Sequence, residues 1–301
     1  MKIILCDPVD ERINQHFESA EEFTVIEAFD RGELETEIDD TNFLVVRSGT
    51  EVDRELFDQA PELVGIVRAG VGLDNIDLEY AAEKNVRVEN TPEASTNAVA
   101  ELVVGHILAI YRSIPRADGE MKKGNWIKGE LEGREIMDKT VGIVGFGRIG
   151  RRVGKYLSGF GAKILAFDEY ISEEEIKSAG ARPVTFDEIV TKSDIVTVHV
   201  PVNPETEDMF SKDEFKQMKD SAIIVNCSRG GIVSEQEIVE ALDAGEIAGA
   251  GVDTYVEEPP GDIPFTAHQK VVATPHLGAT TSEAQERIAS LVIEKIETMA
   301  D

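Results

Sequence analysis

Three short segments carry polar residues that burial in a core would not explain. They are Asn226-Cys227-Ser228-Arg229-Gly230-Gly231, Asp253-Thr254-Tyr255-Val256-Glu257-Glu258-Pro259-Pro260 and Thr274-Pro275-His276-Leu277-Gly278-Ala279. Each follows an apolar, strand-like run. In an open sheet of parallel strands the C-terminal ends converge on a ligand crevice, so segments far apart in sequence can meet there. A guanidinium holds a carboxylate through two parallel hydrogen bonds. An imidazole gives and takes protons near neutrality, and a neighbouring carboxylate orients it. Arg229, Glu258 and His276 therefore supply the parts for hydride exchange at C2 of a 2-hydroxy or 2-keto acid. Taken singly, each has a plainer reading: an ion-paired arginine, a solvated loop acid, a capping histidine.

A second constellation names a carrier for the hydride. Gly145-Phe146-Gly147-Arg148-Ile149-Gly150 closes the apolar run Thr140–Val144, and Asp168 ends a second run, Lys163–Phe167. The first glycine permits a tight turn, the second lets backbone approach a diphosphate, and the third lets helix pack on strand. The diphosphate then meets the positive end of a helix. A carboxylate at Asp168 suits ribose hydroxyls and repels a 2′-phosphate, so the expected cofactor is NAD rather than NADP. The fingerprint begins only at residue 145, so a leading segment of domain size must build something else.

Composition narrows the class further. Acids outnumber bases 59 to 30, for a formal charge of −29, which argues against a nucleic-acid partner. Part of that charge is open to a second reading, adaptation to a salty cytoplasm in which screening relieves self-repulsion. Cys6 and Cys227 form no CxxC pair and read as buried thiols. No run reaches the length of a membrane span, and the chain enters Lys2-Ile3-Ile4-Leu5 at once, so neither a membrane nor a signal peptide is expected and the cytoplasm is the expected location. No histidine pair has ligand spacing with supporting acids, so no metal is expected. His106 falls in an apolar helical stretch, His199 ends a strand, and His16 and His268 lie in polar surroundings. No glycine-flanked serine follows a strand, which disfavours covalent catalysis.

These residues need an α/β scaffold. Strand-like runs at Lys2–Cys6, Thr24–Ala28, Phe43–Arg47, Val64–Arg68 and Val86–Glu89 alternate with amphipathic stretches such as Asp53–Ala60 and Leu78–Lys84. After Thr91-Pro92, Ala98–Ile114 reads as one long apolar helix suited to a buried or interfacial place. A polar stretch near Lys122–Gly133 precedes the fingerprint, after which strands are expected at Ile195–Val200, Ala222–Cys227, Ala248–Val252 and Val271–Ala273. The alternation implies parallel sheets with right-handed crossovers. The last helix, Ser282–Met299, follows the completed sheet and is expected to return to the leading domain. The expected division is residues 1–92 with 277–301 as a substrate-binding domain of flavodoxin-like α/β type, and 93–276 as a Rossmann NAD-binding domain.

The chain resembles the D-isomer-specific 2-hydroxyacid dehydrogenase family over nearly its whole length, the three polar segments matching that family's Arg, Glu and His motifs in order. Val46-Arg47-Ser48, Arg68-Ala69-Gly70-Val71-Gly72-Leu73-Asp74-Asn75 and the stretch Thr274 to Ala284 are similar to its phosphoglycerate-oxidising branch. The resemblance implies that His276, supported by Glu258, moves the substrate hydroxyl proton while Arg229 binds carboxylate and polarises the carbonyl. It places Gly147, Arg148 and Ile149 at the diphosphate, inside the cofactor-binding turn that Gly145 opens and Gly150 closes, and Asp168 at the ribose. Thr96, Pro201, Thr206, Cys227, Ser228, Asp253 and Gly278 fall at further cofactor positions. The backbone at Val71 and Gly72 would hold the substrate carboxylate, and Ser48, Arg47 and Arg68 would face the rest of the substrate, the two arginines its phosphate.

The implied reaction is oxidation of 3-phospho-D-glycerate to 3-phosphohydroxypyruvate toward serine, by a homodimer joined through the cofactor domain. Reduction of glyoxylate, hydroxypyruvate or another 2-keto acid is the nearest alternative. A non-catalytic NAD-sensing or corepressor module is the alternative of another class. Ser95 stands where related enzymes often carry Asn, and the sequence ends at Asp301 without the serine-sensing domain of longer relatives, which implies no feedback through such a domain. Glu258, where the formate-oxidising branch has Gln, speaks against that branch.

Overall fold

A computed structural model describes all residues, Met1–Asp301. Two compact units emerge, Met1–Ser95 with Ala279–Asp301, and Thr96–Gly278. In chain order the first half contains β1 (Lys2–Leu5), α1 (Glu11–Glu18), β2 (Thr24–Glu27), α2 (Arg31–Glu37), β3 (Phe43–Val46), α3 (Arg54–Asp58), β4 (Gly65–Arg68), α4 (Leu78–Glu83), β5 (Arg87–Asn90), α5 (Thr96–Tyr111) and α6 (Ile114–Lys122). There follow β6 (Thr140–Val144), α7 (Arg148–Gly159), β7 (Lys163–Phe167), α8 (Glu173–Ser178), β8 (Arg182–Pro183), α9 (Phe186–Lys192), β9 (Ile195–Val198) and α10 (Lys212–Gln217). The chain closes with β10 (Ile223–Asn226), α11 (Glu237–Ala244), β11 (Gly249–Val252), α12 (Pro264–Ala267), β12 (Val271–Ala273) and α13 (Ser282–Ala300).

The first unit is a five-stranded parallel sheet of order β2-β1-β3-β4-β5, the flavodoxin-like arrangement. Alternation along β1 sends Ile4 and Cys6 to one face and Ile3 and Leu5 to the other. The second face is covered by α1 and by α13, whose Ile288, Val292 and Ile296 recur every four residues and pack with Leu5, Val45 and Val67. Without α13 the part of that apolar face that α1 leaves uncovered would be bare, which is the physical reason α13 returns to this unit.

The second unit is a seven-stranded parallel sheet of order β12-β11-β10-β9-β6-β7-β8. Helices α5 and α7 pack on the face carrying Val141, Ile143, Ile223 and Val225. The other face buries Val144, Val196, Val198 and Ile224 with Phe210, Phe215 and Leu242. Strand order reverses between β6 and β9, so the loops after those two strands flank the crevice where such sheets take ligands.

Several elements depart from expectation. The apolar helix ends at Tyr111 rather than Ile114, because Ser113 turns left-handed at φ 49° and Pro115 opens a new helix, α6, bent 64° from α5. Helices α1 and α2 escape the hydrophobic pattern because they bury only Ile13 and Phe17, and Leu34, respectively. Their starts are fixed instead by Asp10 and Asp30, whose carboxylates accept from Arg12 and Glu33 backbone N–H groups. No single helix is long and apolar enough to cross a membrane.

Candidate active site

The glycine turn after β6 divides its labour among three residues. Gly145 adopts φ +85°, and a side chain there would stand 2.5 Å from the His199 carbonyl oxygen. Gly150 lies on the turn itself, since a Cβ would come within 2.1 Å of the Gly145 carbonyl oxygen. Gly147 is different. It caps α7 with ordinary negative φ, and a Cβ there would meet no protein atom within 4 Å. Nothing inside the chain requires glycine at 147, so the open space is free for an approaching group. Arg148 and Ile149 follow in the first turn of α7 and are the next backbone amides in line.

Asp168, at the end of β7, already has internal work. Its Oδ2 accepts from Phe146 N–H at 2.6 Å and its Oδ1 from Tyr170 and Ile171 N–H at 2.9 and 3.0 Å, which ties the glycine turn to the end of β7. A carboxylate has about four acceptor positions, so one remains for a ribose hydroxyl. Asp168 and Glu169 line one cleft with Val200, Pro201, Thr206 and Met209. Paired acids at its rim oppose a 2′-phosphate, and the apolar Val200, Pro201 and Met209 suit a planar base. These residues fit NAD. Thr206 donates its hydroxyl to the Pro201 carbonyl at 2.7 Å, closing the loop after β9. His199 is neutral there, because burial pushes its pKa down to about 3.

The three polar segments follow β10, β11 and β12 and meet within the second unit. Asn226 shapes the first of them: its Oδ1 accepts from Ser228 N–H and Oγ–H at 3.0 and 2.9 Å, and its Nδ2 donates to the Arg229 carbonyl at 2.7 Å. Gly230 lets this loop lie on the next, since a Cβ would overlap the Tyr255 carbonyl group. His276 Nδ1 is 2.7 Å from Glu258 Oε2, and Glu258 Oε1 accepts from Tyr255 N–H at 3.1 Å. Burial raises the Glu258 pKa, but the hydrogen bond and charge of His276, the Tyr255 amide and the Arg229 guanidinium outweigh it and hold the carboxyl below its ordinary value. Cys227 is buried beside Asp253, and burial first, then that charge, keep its thiol protonated. Thr96, at the start of α5, is buried, and Gly278 N–H donates to Asp253 at 2.8 Å.

The sequence-derived substrate residues lie in the first unit. Arg47 and Ser48 open a loop that is fixed from three sides. Asp7 accepts from Arg47 N–H at 2.5 Å, Thr50 donates to the Cys6 carbonyl at 3.0 Å, and Asn75 Nδ2 donates to the Arg47 and Thr50 carbonyls at 2.8 and 2.5 Å. Asp7 and Asn75 were not singled out by sequence, although Asn75 lies in one of the quoted motifs; a side-chain amide beside a turn was the available signal. The Arg68 guanidinium lies over Gly70, where any side chain would collide with it. The N–H groups of Val71 and Gly72 donate to no acceptor in the chain, while the Val71 carbonyl accepts from Asn90 at 2.6 Å.

Comparison with known proteins shows the family. The family described as "D-isomer specific 2-hydroxyacid dehydrogenase, NAD binding domain" matches residues 104–278. The D-3-phosphoglycerate dehydrogenase of Methanocaldococcus jannaschii is 42% identical over 297 residues, 98% of this chain but 57% of that relative, so the chain spans little more than half its length. The hydroxypyruvate reductase of Thermotoga maritima is 40% identical over 96% of this chain and 95% of its own. Among solved structures, D-lactate dehydrogenase from Aquifex aeolicus, complexed with NAD and lactic acid, superposes with a TM-score of 0.89 at 26% identity over 100% of this chain and 95% of that one.

Proposed function

The chain belongs to the D-isomer-specific 2-hydroxyacid dehydrogenase family, and from that premise we propose that it oxidises 3-phospho-D-glycerate to 3-phosphohydroxypyruvate with NAD, toward serine. The observation that carries the reading is the His276–Glu258 pair at 2.7 Å with the Arg229 charge bearing on it. When bound, NAD supplies the nicotinamide ring that accepts a hydride. The chain's residues do the rest. His276 gives its Nδ1 proton to the hydrogen bond with Glu258, which leaves Nε2 as the base for the C2 hydroxyl proton. The Glu258 charge stabilises the imidazolium that results. Arg229 holds the carboxylate and the C2 oxygen as the carbonyl forms. In the reverse direction the imidazolium returns its proton to that oxygen.

We assign the substrate carboxylate also to the open N–H groups of Val71 and Gly72, and the phosphate to Arg47 and Arg68, with Ser48 beside them. The match to a hydroxypyruvate reductase over 95% of its length favours a second reading, reduction of an unphosphorylated 2-keto acid on the same triad. NAD(H)-linked rates with 3-phosphoglycerate, hydroxypyruvate and glyoxylate separate the two. Preference for the phosphorylated acid, lost in Arg47→Ala, is the expected result; no such preference, or one untouched by Arg47→Ala, would sink the phosphoglycerate assignment. We place the enzyme in the cytoplasm as a homodimer, to which the exposed Ile114, Met121 and Trp126 contribute; sedimentation as a monomer would refute the dimer.

A further inference from the structure

One face of α7 carries Arg148, Arg151, Arg152 and Lys155, spaced i, i+3, i+4 and i+7 with no acid among them. In a chain with 59 acids and 30 bases such a stripe is unexpected, and its two i,i+4 like-charge pairs oppose the helix. Arg151 approaches Glu175 at 3.4 Å and donates to the Phe146 carbonyl, while Arg148, Arg152 and Lys155 form no ion pair. The stripe is one wall of a cavity of about 370 Å³. The turn Ala179-Gly180-Ala181 and the buried Phe146 and Ile164 also line it. Gly180 is left-handed at φ +86°, and a Cβ there would meet nothing within 4 Å, so the mouth stays open.

We propose that this groove binds a small oligophosphate anion at a place separate from the catalytic triad. Guanidinium and ammonium groups are the natural partners of phosphoryl oxygens. With Arg148 next to the space assigned to the NAD diphosphate, the cations left to the groove run from Arg151 to Lys155, over which the helix rises about 6 Å, enough for linked phosphoryl groups rather than a single one. The surrounding charge of −29 repels an extended polyanion such as nucleic acid, so the ligand is compact. Occupation neutralises the like charges along α7 and thereby stabilises the helix that begins at the glycine turn.

Inorganic tripolyphosphate, titrated calorimetrically into NAD-saturated protein at low and high salt, tests this. Saturable single-site binding is expected, weakened about tenfold or more by high salt and by about the same factor in Arg152→Gln/Lys155→Gln, with NAD affinity unchanged. Acylation of Lys155 in the unaltered protein, read by peptide mass, should be slowed by tripolyphosphate, which keeps the test independent of how the variant folds. Absence of saturable binding at low salt, equal binding by the double variant, or tighter binding of short single-stranded DNA than of tripolyphosphate would each overturn the proposal.

Discussion

Two alanine substitutions in the glycine turn are equal in size and should fail in different ways. At Gly150 the new Cβ would stand 2.1 Å from the Gly145 carbonyl oxygen and 3.2 Å from Ile143 Cγ2. Restoring ordinary contact requires α7 to move by about 1 Å, and overpacking of this kind costs about 1–3 kcal/mol. The same movement displaces the amides at the start of α7, and a misplacement of about 1 Å can cost a site about a hundredfold. At Gly147 the methyl enters open space, so stability changes only by the difference between glycine and alanine at a helix N-cap, about 1 kcal/mol or less. It fills the space assigned to the diphosphate, however, and NAD affinity should fall about tenfold or more, about 1.4 kcal/mol. Urea unfolding without cofactor and calorimetric NAD titration on both variants provide the readout. Gly150→Ala should lose stability and affinity, Gly147→Ala chiefly affinity. Undiminished NAD binding by Gly147→Ala would refute the assignment of that space, and full stability in Gly150→Ala would refute the contact.

Glu258→Gln keeps the shape of the His276 partner and removes its charge; kcat should fall about a hundredfold while NAD affinity holds, and a kcat near that of the unaltered protein would show that the charge is not needed. His276→Ala should lower kcat by about 10²–10⁴ without altering NAD affinity, as stopped-flow and titration would show, and retained turnover would move the proton chemistry elsewhere. Folding stability should decline in mild acid through His199, whose burial pushes its pKa from 6.5 to about 3. Below pH 6.5 the unfolded chain binds a proton that the folded one refuses until about pH 3, so this contribution is complete above that window and lost as pH falls through it. Urea midpoints between pH 7 and 4 should flatten in His199→Asn; an unchanged slope would assign the acid lability to other groups. Glu258, held below its ordinary 4.5, adds its own loss only at lower pH.

The features legible in sequence were those whose physics is local. A short β-branched run between turn residues is a buried parallel strand in almost any context, so β1, β3, β6, β9 and β10 were readable within a residue or two. The glycine fingerprint was readable because each glycine answers a backbone demand inside six residues. Pro115 announced the end of α5 to within three residues, but the left-handed Ser113 that ends it earlier bears no glycine to mark it, and α6 itself was not read. The role of Asp168 was only half visible: its three backbone donors come from a turn 22 residues earlier and from the two residues after Glu169. The fixing of Arg47 by Asp7 and Asn75 spans 40 and 28 residues, a pairing no periodicity announces.

The same distinction governs the histidine to which we assign the proton. His276 sits at φ +51°, a left-handed conformation that costs a side-chain-bearing residue about 1–2 kcal/mol. What holds it there is Asp253, fully buried, which accepts from Thr274 Oγ1 at 2.6 Å, Leu277 N–H at 2.7 Å and Gly278 N–H at 2.8 Å. Hydrogen bonds to a charged group contribute about 1.5–3 kcal/mol each, enough to offset the strain. Burial of that carboxylate without donors would be costly, and the loop supplies two of them only when the backbone curves at His276. Thr274 gives its proton to Asp253, so its oxygen accepts from His106 Nε2 at 3.0 Å, and burial keeps His106 neutral by lowering its pKa. A histidine that looks like mere packing in α5 thus steadies the network that aims His276. The curvature of the backbone presents Nδ1 to Glu258 and, on the proposed function, leaves Nε2 for the substrate, so that the aim of the proposed base would rest on buried groups that never touch the reacting atoms.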